Sequence, residues 1–228
     1  MCRGYEPDLR RMGQEKLGGV TGTPIIRYGK ILGLIAAVRD VTERKRMEEV
    51  MKDSEKRYRE LSIIDDLTNL YNFRYFYLRL RNEIDRANLY EQPLTLLLLD
   101  LDNFKTYNDV YGHVEGDHVL WRFGQVLKRC MRQIDSAYRY GGEEFTVILP
   151  MTTSRHGAVI AERIRTEFKK VNLNPDPSEV IHVYMTVSIG LAQYKTQEEM
   201  KSFVHRVDQL MCQGKKNGKD RTCFETQI

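Results

Sequence analysis

Apolar positions recur along the chain in two rhythms. Between Asn72 and Leu89 they follow spacings of three and four, which predicts a helix. Leu94–Asp100 is a continuous apolar run, which predicts a central strand buried on both faces. Helical patterns follow over Asn103–Tyr111 and Gly116–Arg132. Strands are predicted over Ala137–Tyr140 and Glu143–Leu149, joined at Gly141-Gly142. A helix over Ser154–Val171, a strand over Ile181–Ala192, a helix over Gln197–Lys215 and a short strand over Thr222–Glu225 complete the pattern. Pro175 and Pro177 mark Asn172–Glu179 as a loop. Strands alternating with helices, plus one tight hairpin, predict an α+β or α/β sheet covered by helices.

The amino-terminal part reads differently. Residues 1–22 are polar and glycine-rich, with little periodicity, and are expected to be poorly ordered. Thr23–Tyr28 and Ile31–Arg39 read as two strands with Tyr28-Gly29-Lys30 as their turn. Asp40 or Thr42 can cap a helix that runs on to Ser62. Met47, Met51, Ser54, Tyr58 and Leu61 form a heptad seam on that helix. The seam serves either a short parallel coiled coil or a linker helix lying on its own domain. The expected organisation is therefore 1–41, a helical linker over 42–64, and one domain over 65–228.

Composition narrows the class. The chain has 228 residues, 41% hydrophobic and 30% charged, an ordinary globular balance. A net charge of +4 is too mild to argue for nucleic acid. The four cysteines, Cys2, Cys130, Cys212 and Cys223, form no close pair, which argues against zinc and a disulfide framework. Free thiols fit a reducing cytoplasm. No apolar run approaches the length of a membrane span.

Four motifs carry chemistry. Asp100 and Asp102 end the apolar strand two residues apart and so point to one side. Such carboxylates hold a hard cation such as Mg²⁺, or simply cap the next helix. Gly141-Gly142 makes a tight turn in which both glycines can take positive φ, followed at once by Glu143 and Glu144. Asn108 and Asp117 can read a guanine edge, the acid accepting from N1 and N2 hydrogens. On the residues alone they are read first as a glycine-punctuated helix–turn–helix with Asp117 near a helix start. Lys215 and Lys219, one turn apart, can reach a phosphate chain or complement a helix end with Gly218 as its cap.

Taken together and in order, Asp65–Asn72, Asp100–Lys105, Asn108-Asp109, Gly112-His113 with Gly116-Asp117, Arg139–Phe145, Ser188–Gly190 and Lys215–Lys219 resemble a GGDEF-domain diguanylate cyclase. The resemblance implies a central, mainly antiparallel sheet wrapped by helices, as in nucleotidyl cyclase and polymerase palm domains. It implies condensation of two GTP into cyclic di-GMP. It implies Mg²⁺ or Mn²⁺, two per GTP half-site, on Asp100, Glu143 and the Leu101 carbonyl. Glu143 and Lys105 would be catalytic. Phe104, Asn108, Asp117, Gly141, Gly142, Glu144, Lys215 and Lys219 would bind substrate. Arg132, Asp135 and Arg163 match an RxxD site at which the product inhibits. Each chain would carry half an active site, so a homodimer is implied. The alternative is a silent module that binds cyclic di-GMP or GTP.

Three positions depart from the family pattern. Asn69 stands where Gly is usual, Phe73 where Arg is frequent and Cys212 where Tyr is common. Gly29–Lys45 resembles the last strands and exit helix of a PAS sensor domain. With only that end present, no cofactor pocket is expected there.

Overall fold

The computed structural model describes residues 8–11, 14–27, 30–40, 43–48, 50–51, 63–174 and 183–225. The chain divides into two compact units, Met1–Ser62 and Ile63–Ile228.

The first unit holds an antiparallel sheet of β1 (Asp8–Arg11), β2 (Gln14–Arg27) and β3 (Lys30–Asp40), in that order. The two strands expected from the pattern are present, with Arg27 opposite Lys30. Tyr28 and Gly29, expected to form the turn, lie outside the described residues. The structure departs from expectation in extending β2 back to Gln14 and adding β1. Gly18, Gly19 and Gly22 pair with Asp40, Arg39 and Ala36. Ladder bonds use backbone groups, which glycine has like any residue, whereas periodicity sees side chains alone. Residues 43–48 and 50–51 are helical, and Met47 and Met51 are exposed. Ser54, Tyr58 and Leu61 of the expected seam lie outside the described residues.

The second unit contains β4 (Tyr71–Asn72), α1 (Phe73–Tyr90), β5 (Leu94–Asp102), α2 (Phe104–Tyr111), α3 (His113–Cys130), β6 (Ser136–Gly141), β7 (Glu144–Pro150), α4 (Ser154–Lys169), β8 (Thr186–Gln193), α5 (Met200–Lys216) and β9 (Thr222–Phe224). Its six strands run β4-β6-β7-β5-β8-β9. The inner four are antiparallel, and β4 and β9 join the edges in parallel. This is the α+β sheet expected, open at both edges. Asn72 caps α1 by accepting from the Tyr75 amide at 3.0 Å.

β5 is buried along its whole length. Its alternation divides the core. Leu97, Leu99 and Leu101 join Phe123, Leu127, Phe145, Ile164 and Phe168 on one face. Leu96 and Leu98 join Phe76, Leu80, Tyr138, Phe203, Val207 and Met211 on the other. By the same two-residue period Asp100 and Asp102 fall on the second face, the one covered by α1 and α5. The apolar side chains of β5 each contribute roughly 1.5–3 kcal/mol on burial, so the strand that ends in acid is anchored in both halves of the core.

Gly190 sets how closely α5 approaches. It pairs with Leu98 across the β5–β8 ladder. A Cβ there would collide with the backbone of Val207 and Met211. Helix and sheet therefore touch backbone to backbone, which draws the end of α5 toward Asp100. Replacing Gly190 with Ala is expected to destabilise the domain by about 1–3 kcal/mol. Thermal unfolding at neutral pH checks this; unchanged stability would show that α5 does not need the close approach.

Candidate active site

The hairpin between β6 and β7 brings the acids to the sheet's end. Asp100 pairs opposite Glu144, and the Leu101 amide donates to the Glu143 carbonyl at 3.3 Å. The turn differs from expectation. Gly141 remains in β6 opposite Glu144, and the ladder slips between Arg139 and Gly141. The turn residues are Gly142 and Glu143, and of the two glycines Gly142 alone has positive φ, at 39°. The slip moves the turn on by one residue and puts Glu143 at its tip. Tyr140, the residue passed over, packs edge-on against Phe73 and Phe76, and its hydroxyl meets that of Tyr77 at 2.7 Å.

The sequence treats Asp100 and Asp102 alike, but the structure separates them. Asp102 accepts from the Thr186 hydroxyl at 2.6 Å, the Ser188 hydroxyl at 2.7 Å and the Asp220 amide at 3.1 Å. It is fully engaged in joining β5, β8 and the segment before β9. Asp100 is 4% exposed, and its Oδ2 pairs with Lys215 Nζ at 2.6 Å. Its Oδ1 is buried and meets no hydrogen-bond donor among the described residues. Such an oxygen is costly to leave unused.

Charge in this cluster is crowded. Burial pushes the Asp100 carboxyl above the ordinary carboxylate range, with Lys215 opposing and Asp102 adding to the rise. Burial, then the charge on Asp100, pushes Glu143 and Glu144 up as well. Among the described residues no three His, Cys, Asp or Glu side chains converge to hold a metal by themselves. The set nonetheless fits a hard cation that keeps waters or phosphate oxygens as ligands: two carboxylates, one with an unused buried oxygen, beside a backbone carbonyl at Leu101.

The other expected residues fall in three places. Phe104 is buried, so its side chain belongs to the core; what it presents is the first turn of α2, where helix amides are free. Lys105 is exposed on that turn. Asn108, further along α2, packs so closely on Gly116 of α3 that a Cβ at Gly116 would overlap its Oδ1. Asp117 is exposed one residue later. Lys219 does not continue α5 beside Lys215. Gly218 (φ 104°) and Lys219 (φ 60°) reverse the chain, with the Lys219 amide bonding the Gly214 carbonyl and the Gly218 amide that of Lys215. This is a Schellman end. Lys219 Nζ instead donates to Asn103 Oδ1 at 2.7 Å, and its charge still reaches Asp100.

Arg132 and Asp135 form a forked pair, with Nε and Nη2 at 3.0 and 2.9 Å, and Arg132 also donates to the Thr152 hydroxyl at 2.7 Å. Arg163 donates to the Cys130 carbonyl, not to Asp135. A cavity of about 380 Å³ lies beside this pair, lined by Leu70, Tyr71, Lys128 and Met131 among others.

Two positioning contacts escape sequence reading. Asn103 adopts φ 63° between β5 and α2 and holds both Lys219 and, at 3.1 Å, the Tyr184 carbonyl. Asn tolerates this conformation, which is the one sequence hint available. Arg139 clamps the Gly142 carbonyl at 3.1 and 3.2 Å and pairs with Asp65 at 3.3 Å. Nothing local in the sequence links positions 65 and 139. Asn69, the departure from Gly, sits at φ 57°, a conformation that Asn accommodates.

The family model for the diguanylate cyclase, GGDEF domain, matches residues 62–221. The chain belongs to this family. It is 35% identical over 198 residues to diguanylate cyclase DgcM of Escherichia coli strain K12, covering 87% of this chain and 45% of that protein. It is 36% identical over 166 residues to diguanylate cyclase A of Treponema denticola, covering 71% and 44%. The chain thus spans less than half the length of these curated relatives. Among solved structures, its fold is similar to the coiled coil and GGDEF domain of DgcB from Caulobacter crescentus in complex with c-di-GMP. There the TM-score is 0.69 at 29% identity, over 81% of this chain and 97% of that one. It is also similar to diguanylate cyclase SiaD in complex with its activator SiaC from Pseudomonas aeruginosa. That match has a TM-score of 0.68 at 32% identity, over 80% and 69%.

The raised carboxyls of the GGDEF domain make a stability prediction. The folded domain holds these protons more tightly than the unfolded chain, so stability is lost as pH rises from the ordinary carboxylate range through the raised values. Glu143→Gln removes one such penalty. Its melting temperature should exceed that of the parent at about pH 7.5 and match it near pH 4. A lower melting temperature at neutral pH would contradict the crowding of charge.

Proposed function

We propose that this GGDEF domain is a diguanylate cyclase that condenses two GTP into cyclic di-GMP and two pyrophosphates. The observation that carries the reading is the buried Asp100 carboxylate, with one open oxygen, set between the Glu143 turn and Lys215. Mg²⁺ or Mn²⁺ on Asp100, Glu143 and the Leu101 carbonyl, two ions per half-site, would neutralise phosphate charge and acidify the attacking hydroxyl.

The chain's own groups account for the rest. Asp117 accepts from the guanine N1 and N2 hydrogens while the Asn108 amide, braced by Gly116, completes the edge. The free amides at the start of α2 receive phosphate oxygens. The exposed Gly141 and Gly142 let the triphosphate approach the turn. Lys105, Lys215 and Lys219 balance charge as it shifts toward the leaving pyrophosphate. Glu144 lines the same acidic edge. The 3′-oxygen of one GTP bonds to the α-phosphorus of the other, the bond to the bridging oxygen breaks, and the hydroxyl proton passes to Glu143. The step then repeats in the other direction.

One domain supplies one GTP, so the active species is a homodimer with facing half-sites. The helix through Met47 and Met51 is read as its coiled-coil aligner, following what we take to be the end of a PAS sensor. Arg132, Asp135 and Arg163 are read as the product-inhibition site, supported by the forked pair and the adjoining cavity. The described residues include no helix long and apolar enough to cross a membrane. We place the domain in the cytoplasm, where GTP is found.

Incubation with GTP and Mg²⁺ should yield cyclic di-GMP by mass spectrometry, and Glu143→Gln should lower turnover by about 100-fold or more. No product at high protein concentration, with guanine nucleotide still bound, would overturn the reading. Arg132→Ala should relieve inhibition by added cyclic di-GMP; unchanged inhibition would return Arg132 and Asp135 to a purely structural ion pair.

A further inference from the structure

We infer that Lys215 is a displaceable internal counter-ion, which closes the Asp100 cation site until a triphosphate draws its ammonium away. The inference rests on the cyclase reading and adds how that site is kept closed.

Asp100's side chain is 6% exposed and that of Lys215 is 34% exposed. The ammonium thus occupies one carboxylate oxygen of the buried acid, on the more exposed of the two side chains. The backbone beneath Lys215 is fixed. Gly190 presses α5 onto β8, and the bonds from Gly218 and Lys219 close its last turn. Only the flexible four-carbon stem is left to move. An ammonium and a divalent cation on one buried carboxylate repel strongly at such separations. Asp100 thus serves one or the other. A triphosphate offers the ammonium new acceptors and frees the carboxylate. Cation and nucleotide then favour each other's binding, and the coupling is reciprocal. Lys219 is not equivalent, because its own partner is Asn103.

The test titrates Mn²⁺ alone into the full chain and follows free Mn²⁺ by electron paramagnetic resonance. Lys215→Met should bind Mn²⁺ on the order of tenfold tighter than the parent, or more. Lys215→Arg, which keeps the charge, should stay near the parent. Adding Asp100→Asn to Lys215→Met should abolish the gain. Circular dichroism confirms folding, and Lys215→Gln replaces Lys215→Met if the latter fails to fold. Binding no tighter than the parent, including none measurable in either protein, overturns the inference. So does an equal gain in Lys219→Met, which would mark a general effect of charge, or a gain that survives Asp100→Asn. Formation of cyclic di-GMP from GTP judges the cyclase reading separately. If product forms as predicted while Lys215→Met binds Mn²⁺ no better, the counter-ion role alone falls.

Discussion

The second unit is organised around one buried carboxylate. Asp100 ends a strand that is buried throughout, and burial penalises its charge. Three features of the fold bear on that penalty, and only the first of them offsets it. The α5 helix comes close because Gly190 lacks a side chain, and it delivers Lys215. The β6–β7 hairpin slips by one residue and sets Glu143 at the turn. Asp102 absorbs the donors of Thr186 and Ser188, leaving one oxygen of Asp100 with no donor among the described residues. Stability and chemistry pull against each other here, as expected of a site held ready for charge.

Much of the fold was legible because its signals are side-chain signals. The apolar run of β5, the period of α1 and the glycine hairpin each appear within two or three residues of their predicted places. The misses have two causes. β1 pairs with the polar start of β2, and the glycines of β2 pair with β3, in both cases through backbone groups that periodicity does not register. The hairpin turn moved because a ladder slip depends on where Tyr140 packs, against rings of α1 that are distant in sequence.

The site was legible in its residue types and less so in its geometry. Asp100, Glu143 and Lys215 do come together. The equivalence of Asp100 and Asp102 does not survive, since hydroxyls on β8 decide between them. Lys219 leaves the helical line because Gly218 ends α5 before it. Asn103 and Arg139 act through contacts made by folding alone, with partners up to 116 residues away. These positioning groups tie the β5–α2 junction to the segment after α5 and the hairpin turn to Asp65.

We propose that Asp100, Glu143, Asn108, Asp117 and Lys215 form a single GTP site. A crystal structure with Mg²⁺ and a GTP analogue that cannot release pyrophosphate tests it most directly. The expected complex has guanine against Asn108 and Asp117, phosphates at the start of α2 near Lys215, and cation density at Asp100. Nucleotide bound elsewhere, with the Lys215–Asp100 pair intact and no cation beside Asp100, would contradict it.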